Sequence, residues 1–408
     1  MSLRSEPQNS KQQQQNVMDQ SCMPLSSAVM PSSTNNNSYA ATTVASLQPI
    51  ISYTTRRRMY PRINRDNKDK DSGVQPLISM GETIRQRWLI KGVKVCFSAC
   101  SWTCKAYHCS GMIGSGGYGQ IYYALDTRQN EHVAVKVEPT RRNGKTVRRM
   151  ILEQRVLLRL QGRPHVALMY GSGVEYDLNF IVLQLLSVNL GELRKQCPLK
   201  RFSKSTAGRI MQQAIAGIRD VHQIGYLHRD IKPANMCFGL QETSKHRLII
   251  VDFGLVRKYV TADGTVRPRR DHAGFRGTLR YVSLRVHNRE EQGPSDDLVA
   301  LLYSLIEMTH GELSWRKINN ADDIKAAKEE LVRDDYRHIT AKFGKSMREY
   351  ARAVSSMGPE EEPHYRGLQE LMKEFSGGKS LSDPYDWEND YADVFAETEI
   401  NRHLKIAV

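Results

Sequence analysis

Three polar side chains stand close together in YLHRDIKPANMCFG, the segment from Tyr226 to Gly239: Asp230, Lys232 and Asn235. A carboxylate can orient a hydroxyl and accept its proton. An ammonium two residues on can neutralise charge growing on a phosphoryl group, and an amide oxygen can hold a metal ion. Together these are parts for moving a phosphoryl group onto a hydroxyl. That chemistry needs a second carboxylate for Mg2+ between the phosphates. Asp252 of DFG stands at the end of the apolar run LIIV, and Gly254 lets the chain turn out of the site. Any one of these tripeptides occurs by chance; the information lies in the ordered set.

The same chemistry needs a phosphate cradle. Gly114, Gly116 and Gly119 in IGSGGYGQIYYALD have the G-x-G-x-x-G spacing, which alone also fits an ordinary glycine-rich hairpin. A strand-like run follows the glycines, which favours a β-hairpin covering phosphates over a dinucleotide-binding turn. Lys136 ends VAVK on a presumed central strand, an expensive place for an unpaired ammonium. Glu153 in LEQRVLLRL falls on the sheet-facing side of a predicted helix, where it can pair with Lys136 while the lysine reaches phosphate oxygens. A solvent-facing lysine with a surface glutamate is the alternative for these two taken alone.

The elements that must position these groups come in two blocks. From Gly111 the short alternating runs QIYYALD and HVAVKVEP precede a helical stretch, TVRRMILEQRVLLRLQG, and then FIVLQLL. After Asn189 helices dominate: FSKSTAGRIMQQAIAGIRDVH with Ser203 as N-cap, SDDLVALLYSLIEMTHG, ADDIKAAKEELVRD, KSMREYARAVSSM and HYRGLQELMKEF. This predicts an α+β fold of two lobes, a small β-rich one holding one main helix and a larger, mostly helical one, with a ligand cleft at the join. Residues 1–80 carry KQQQQN, SSTNNNS and TTRRRMYPRINRDNKDKD and read as a disordered polar and basic tail. Arg56, Arg57 and Arg58 there read as a solvated charge run. The expected domain is 81–395, with 396–408 as a C-terminal tail.

The chain of 408 residues is 40% apolar and 25% charged, a globular composition, and its net charge of +15 points to an acidic partner. No run of about 18 apolar residues occurs, and MSLRSEPQNSKQQQQ lacks the apolar core of a signal peptide. A soluble intracellular protein, cytoplasmic and/or nuclear, is therefore expected. Its 7 cysteines, an odd number, argue for reduced thiols. Basic residues are not interleaved with aromatic stacking positions, which argues against nucleic-acid binding.

The Gly loop, VAVK, Glu153, HRDIKPAN and DFG in this order resemble the eukaryotic protein kinases, and Lys232 with Thr278 resembles the serine/threonine-specific members. The likeness runs from roughly Arg87 to Trp387. Ser283-Leu284-Arg285 stands where other kinases have Ala-Pro-Glu and is similar to the Ser-Ile-Asn of the casein kinase I family. VRPRRDHAGFRGTLRYVS, LSWRKI and the late DWE from Asp386 to Glu388 look like the tau-tubulin kinase branch. The resemblance implies ATP and Mg2+ as cofactors. Asp230, Lys232, Lys136, Glu153 and Thr278 would be catalytic, and Asn235 and Asp252 would hold the metal. The nucleotide would be lined by Ile113, Gly114, Ser115, Gly116, Gly117, Tyr118, Gly119, Ile121, Ala134, Lys136 and Leu183. Asp297, one of the paired acids with Asp296, would anchor the backbone of the catalytic loop.

Three departures stand out. Arg285 replaces the branch's Asn, and Ser314 stands where a Pro is usual; both put substrate docking in doubt more than turnover. Between Trp88 and Gly114 the chain is roughly twenty residues longer than the family's direct path into its first strand. That insertion, about 92–110, reads as a surface insertion or a coding-sequence error such as a retained intron, and a genuine one could disturb the strand and weaken nucleotide binding. It holds Cys96, Cys100, Cys104, His108 and Cys109, but no second ligand pair with zinc-site spacing.

Arg257, Lys258, Arg267, Arg269, Arg270, Arg276 and Arg280 crowd the stretch after DFG, so acidic or phosphorylated protein segments are the expected substrates, with about half of these cations pairing internally or facing solvent. Thr261 and Thr265 are available acceptors, but casein kinase I relatives act without activating phosphorylation, and none is expected. The chain is expected to be a monomer. A catalytically silent scaffold is the competing reading, motivated by the interrupted strand and Arg285.

Overall fold

The computed structural model describes residues 75–92, 111–116 and 119–406. Its first lobe is a seven-stranded antiparallel sheet. The chain forms β1 (Thr83–Ile84), β2 (Trp88–Ile90), β3 (Met112–Gly116), β4 (Gly119–Asp126) and β5 (Glu131–Pro139), then a small separate hairpin, β6 (Arg141–Arg142) and β7 (Lys145–Thr146). Helix α1 (Arg149–Leu160) follows, before β8 (Met169–Glu175) and β9 (Leu178–Gln184). The strand order is β1-β2-β4-β5-β9-β8, with β3 also on β4.

Alternation decides which groups meet. Val133, Val135 and Val137 of β5 turn to one face and are buried with Tyr122, Ala124, Phe180 and Val182. Ala134 and Lys136 therefore share the other face, opposite Tyr123 and Ile121 of β4 and Leu183 and Ile181 of β9. Helix α1 buries Val156, Leu157 and Leu160 in the second, larger core and Glu153 along with them.

The interruption in the first strand falls between β2 and β3, and both lie against β4. They meet at one rung: the Lys91 N–H donates to the Tyr123 carbonyl (3.1 Å), and the Tyr123 N–H donates to the Gly111 carbonyl (2.8 Å). The ladder thus continues across the insertion instead of being broken by it. Gly111 permits this return, since its φ is +70° and a Cβ there would lie 2.7 Å from the Lys91 carbonyl oxygen. The cysteines of the insertion and His108 lie outside the described residues.

The second lobe begins with β10 (Leu186–Asn189) and helices α2 (Leu190–Gln196) and α3 (Lys204–Gln223). Then come β11 (Tyr226–Leu227), β12 (Met236–Gly239), β13 (Leu248–Ile250) and β14 (Arg257–Lys258), in small sheets β10-β12-β13 and β11-β14. Helices α4 (Leu284–His287), α5 (Pro294–His310), α6 (Ala321–Arg333), α7 (Arg337–Thr340), α8 (Lys345–Ser356), α9 (Tyr365–Phe375) and α10 (Ala392–Ile406) complete it. As expected, Ser203 caps α3, accepting from the Thr206 N–H at 3.1 Å. The cap is itself held by Asp386 of DWE, which accepts from the Ser203 N–H (2.8 Å) and hydroxyl (2.6 Å).

Packing extends past both ends of 81–395. The Leu77 N–H donates to Gln120 Oε1 (2.8 Å) and Ile78 is buried, while Glu397 Oε1 accepts from the Lys204 N–H (2.6 Å). No helix among the described residues is long and apolar enough to cross a membrane.

Because Lys91 and Gly111 share one rung, removing Gly92 to Gly111 and joining Lys91 to Met112 should close the strand in register. Loss of a long loop should leave stability unchanged or raise it by about 1–2 kcal/mol. Urea denaturation checks this; a clear fall in midpoint would show that the insertion carries stability of its own.

Candidate active site

Lys136 is the meeting point of the two lobes. Its Nζ lies 2.8 and 2.7 Å from the Glu153 carboxylate oxygens and 3.0 Å from Asp252 Oδ1. Burial opposes the ammonium's charge, but Glu153 and then Asp252 more than offset it, so its pKa is raised above the ordinary lysine value. At Asp252 burial favours the neutral acid, yet Lys136, with His228 and Lys232 adding to it, holds the carboxyl below the ordinary range. The Asp252 side chain keeps 26% of its surface exposed.

The backbone at Asp252 is strained into place. Its φ is +68°, a conformation costing about 1–3 kcal/mol for a non-glycine residue. Phe253 holds it by lying buried in the core, its ring centre 5.2 Å from that of His228. Arg229 has the same φ of +68°. It is fixed by its Nε–H to the Leu255 carbonyl (2.8 Å) and its N–H to Asp297 Oδ1 (2.7 Å).

Below this triad Asp230 is held from three sides. Oδ1 accepts from the Thr278 hydroxyl at 2.6 Å; Oδ2 accepts from Lys232 Nζ at 2.7 Å and from Asn235 Nδ2 at 3.1 Å. Lys232 also donates to Thr278 Oγ1 (2.9 Å), and Asn235 Nδ2 to the Asp230 carbonyl (2.8 Å). With its donor so engaged, the Asn235 amide has its oxygen left for a cation. The Val251 N–H bonds the Asn235 carbonyl (3.0 Å), which sets Asn235 beside the strand leading to Asp252. An amide oxygen and a partly exposed carboxylate are hard oxygen donors suited to Mg2+ with phosphates and water completing the shell.

Asp297, on the first turn of α5, organises this loop. It accepts from the His228 N–H (2.7 Å), the Arg229 N–H (2.7 Å) and His222 Nε2–H (2.9 Å). Burial opposes its charge, but His222, then His228, together with these bonds hold its pKa below the ordinary carboxylate value.

The glycine segment is a hairpin: Gly116 faces Gly119, Ser115 faces Gln120 and Gly114 faces Ile121. A Cβ at Gly119 would come within 2.3 Å of the Val137 carbonyl oxygen, so this position admits glycine alone, and above Gly116 there is open space. Gly117 and Tyr118 lie outside the described residues. Ile113, Ile121, Ala134 and Leu183 are all half-buried. Ile121 is paired with Lys136 and Ala134 with Leu183, so three of the four share the lysine's face.

Residues 107–373 match the model of the protein kinase domain. The chain belongs to this family. It is 42% identical over 284 residues to "Putative casein kinase I" of Caenorhabditis elegans, covering 69% of this chain and 83% of that protein. Identity is 37% over 279 residues with "Probable serine/threonine-protein kinase" of Dictyostelium discoideum, covering 68% and 55% of the two. With serine/threonine-protein kinase spe-6 of C. elegans it is 29% over 283 residues, covering 68% and 74%. The protein is a serine/threonine kinase.

The departures have local explanations. Arg285 donates to Asp296 Oδ2 (2.8 Å), Ser295 Oγ (3.1 Å) and the Met357 carbonyl (3.2 Å), so it is spent on the join between α4 and α5. Ser314 is exposed. Of the cations after DFG, Arg257 and Arg270 share Glu291 at 3.0 and 2.5 Å, and Arg269 pairs with Glu360 at 2.7 Å. Lys258, Arg267, Arg276 and Arg280 have no carboxylate partner among the described residues. Sequence reasoning missed the clamp on the hairpin, where the Leu77 N–H meets Gln120 and Tyr122; a single buried Ile78 in a polar stretch is too faint a signal.

Replacing Asp297 by Ala strands two backbone N–H groups and His222, and should cost about 3–5 kcal/mol of stability at neutral pH. Since the native carboxyl has a depressed pKa, its contribution is in place above the unfolded value and disappears as pH falls through the folded one. Parent and variant should therefore converge in acid. Unfolding curves from pH 3 to 7 measure this, and equal midpoints at pH 7 would contradict it.

Proposed function

We propose that the protein is a Mg-ATP-dependent kinase of casein kinase I type that phosphorylates serine or threonine in acidic or already phosphorylated protein segments. One observation carries the reading: the Lys136–Glu153–Asp252 triad is closed while Asp230 is oriented by Thr278, Lys232 and Asn235.

In this reading the nucleotide lies under the glycine hairpin against Ile113, Ile121, Ala134 and Leu183, and Lys136 reaches its α- and β-phosphates. Mg2+, held by Asp252 and Asn235, would supply neutralising charge for the triphosphate. The substrate hydroxyl meets the Asp230 carboxylate, which orients it and takes its proton, while Lys232 balances charge on the transferred phosphoryl group. Thr278 keeps both side chains in register.

Lys258, Arg267, Arg276 and Arg280, which have no carboxylate partner among the described residues, are the groups that support acidic or phosphorylated substrates. Likeness to the tau-tubulin kinase branch rests on VRPRRDHAGFRGTLRYVS, LSWRKI and DWE. Arg229 bonds the Leu255 carbonyl, and the Thr261 and Thr265 hydroxyls bond Asp263 and each other, which supports activity without activating phosphorylation. The scaffold alternative drew on the interrupted strand and Arg285; the ladder closes across the first and the second is paired with Asp296.

Asp230→Asn should lower turnover of casein by roughly 10²–10⁴. Stabilisation by Mg-ATP in a thermal-shift assay should survive that change. Parent-like phosphorylation by the variant would overturn the assignment. For substrate class, Arg267→Glu with Arg276→Glu should raise KM for an acidic peptide about tenfold while leaving KM for ATP in place; an unchanged peptide KM would count against it.

A further inference from the structure

Lys328, on α6, is fully buried and has no carboxylate beside it among the described residues. Burial alone pushes its pKa down to about 7. An ammonium in such a place is disfavoured, and a methionine would fill the same volume without desolvating a charge. What Lys328 has that methionine lacks is three N–H donors, and each has an acceptor: the Leu279 carbonyl at 3.0 Å, the Val282 carbonyl at 2.7 Å and His287 Nε2 at 3.2 Å. Burial, with Lys328 itself, pushes His287 down to about 4, so its ring is neutral and can accept.

The ammonium also lies over two aromatic faces, 4.9 Å from the ring centre of Tyr303 and 5.6 Å from that of Trp315. Trp315 in turn donates its Nε1–H to the Arg280 carbonyl at 2.9 Å. Thus the carbonyls of Leu279, Arg280 and Val282 are all tied down by two side chains from below. The Thr278 carbonyl is taken within the segment, by the N–H groups of Tyr281 (2.8 Å) and Val282 (3.2 Å). Thr278 is the residue whose hydroxyl sits on Asp230.

We propose that Lys328, aided by Trp315, is a positioning residue that fixes the backbone of Thr278 to Val282 as the floor on which the peptide substrate docks next to Asp230. The proposal rests on the kinase reading for the word substrate; the backbone anchoring stands on the geometry. Anchored carbonyls leave the half-buried Leu279 and Arg280 in one orientation, and keep Thr278 at hydrogen-bond distance from Asp230 and Lys232.

The test uses the full chain with Lys328→Met and, separately, Trp315→Phe. Peptide KM for Lys328→Met should rise about tenfold or more, with KM for ATP within about twofold of the parent. Amide exchange at Tyr281 and Val282 should be at least about tenfold faster, and the melting temperature equal or higher. A folded Lys328→Met protein with parent-like peptide KM and parent-like exchange overturns the proposal. Should Lys328→Met fail to fold, Trp315→Phe decides, since it keeps the ring and removes one anchor. It should shift peptide KM and exchange in the same direction by a few fold, and parent values for both would refute the anchoring. If the parent phosphorylates no peptide, the kinase reading falls while the exchange measurement still decides the role of Lys328.

Discussion

An ammonium buried at the centre of a sheet is the constraint on which the rest of this structure depends. Lys136 cannot stay charged there without compensation, and carboxylates from two different elements provide it: Glu153 from α1 and Asp252 from the end of β13. Satisfying one cation therefore fixes the helix against the sheet and the sheet against the second lobe. Removing either acid would leave Lys136 held from one side only, which is why the positions of α1 and of DFG are tied together.

The second lobe repeats the device with buried carboxylates at helix starts. Asp386 holds the cap of α3, Asp296 ties Ser283 and Arg285 to α5, and Asp297 carries the backbone of the catalytic loop. Each acid is buried and each has its acceptor sites filled. The strained φ at Arg229 persists because Asp297 and the Leu255 carbonyl hold it, and that at Asp252 because Lys136 and the buried Phe253 do.

Much of this was legible in the residues. Period-two alternation in HVAVKVEP put Lys136 on the face of Ala134, the helical period put Glu153 toward the sheet, and Ser203 announced the start of α3. The motif set gave the site because its parts are local in sequence and chemically rare. What stayed hidden was set by tertiary contact. Lys328 lies in DDIKAAKEELVRD, where a lysine reads as a solvent-facing helical residue; its burial follows from how α6 meets the segment after Thr278. The sharing of one rung by Lys91 and Gly111 also has no sequence signature, since it depends on β4 pairing with both sides of the insertion. Arg285 looked like a defect for the same reason: its partner Asp296 was visible, but their contact was not.

The central claim is that Lys136 serves a nucleotide and is not merely a structural ion. Calorimetric titration of the parent and of Lys136→Met with Mg2+ and a non-hydrolysable ATP analogue tests it most directly. The parent should bind with a Kd between about 1 μM and 1 mM, and the variant at least about tenfold more weakly while remaining folded. Equal affinity in the two proteins, or no binding by the parent, would contradict the account.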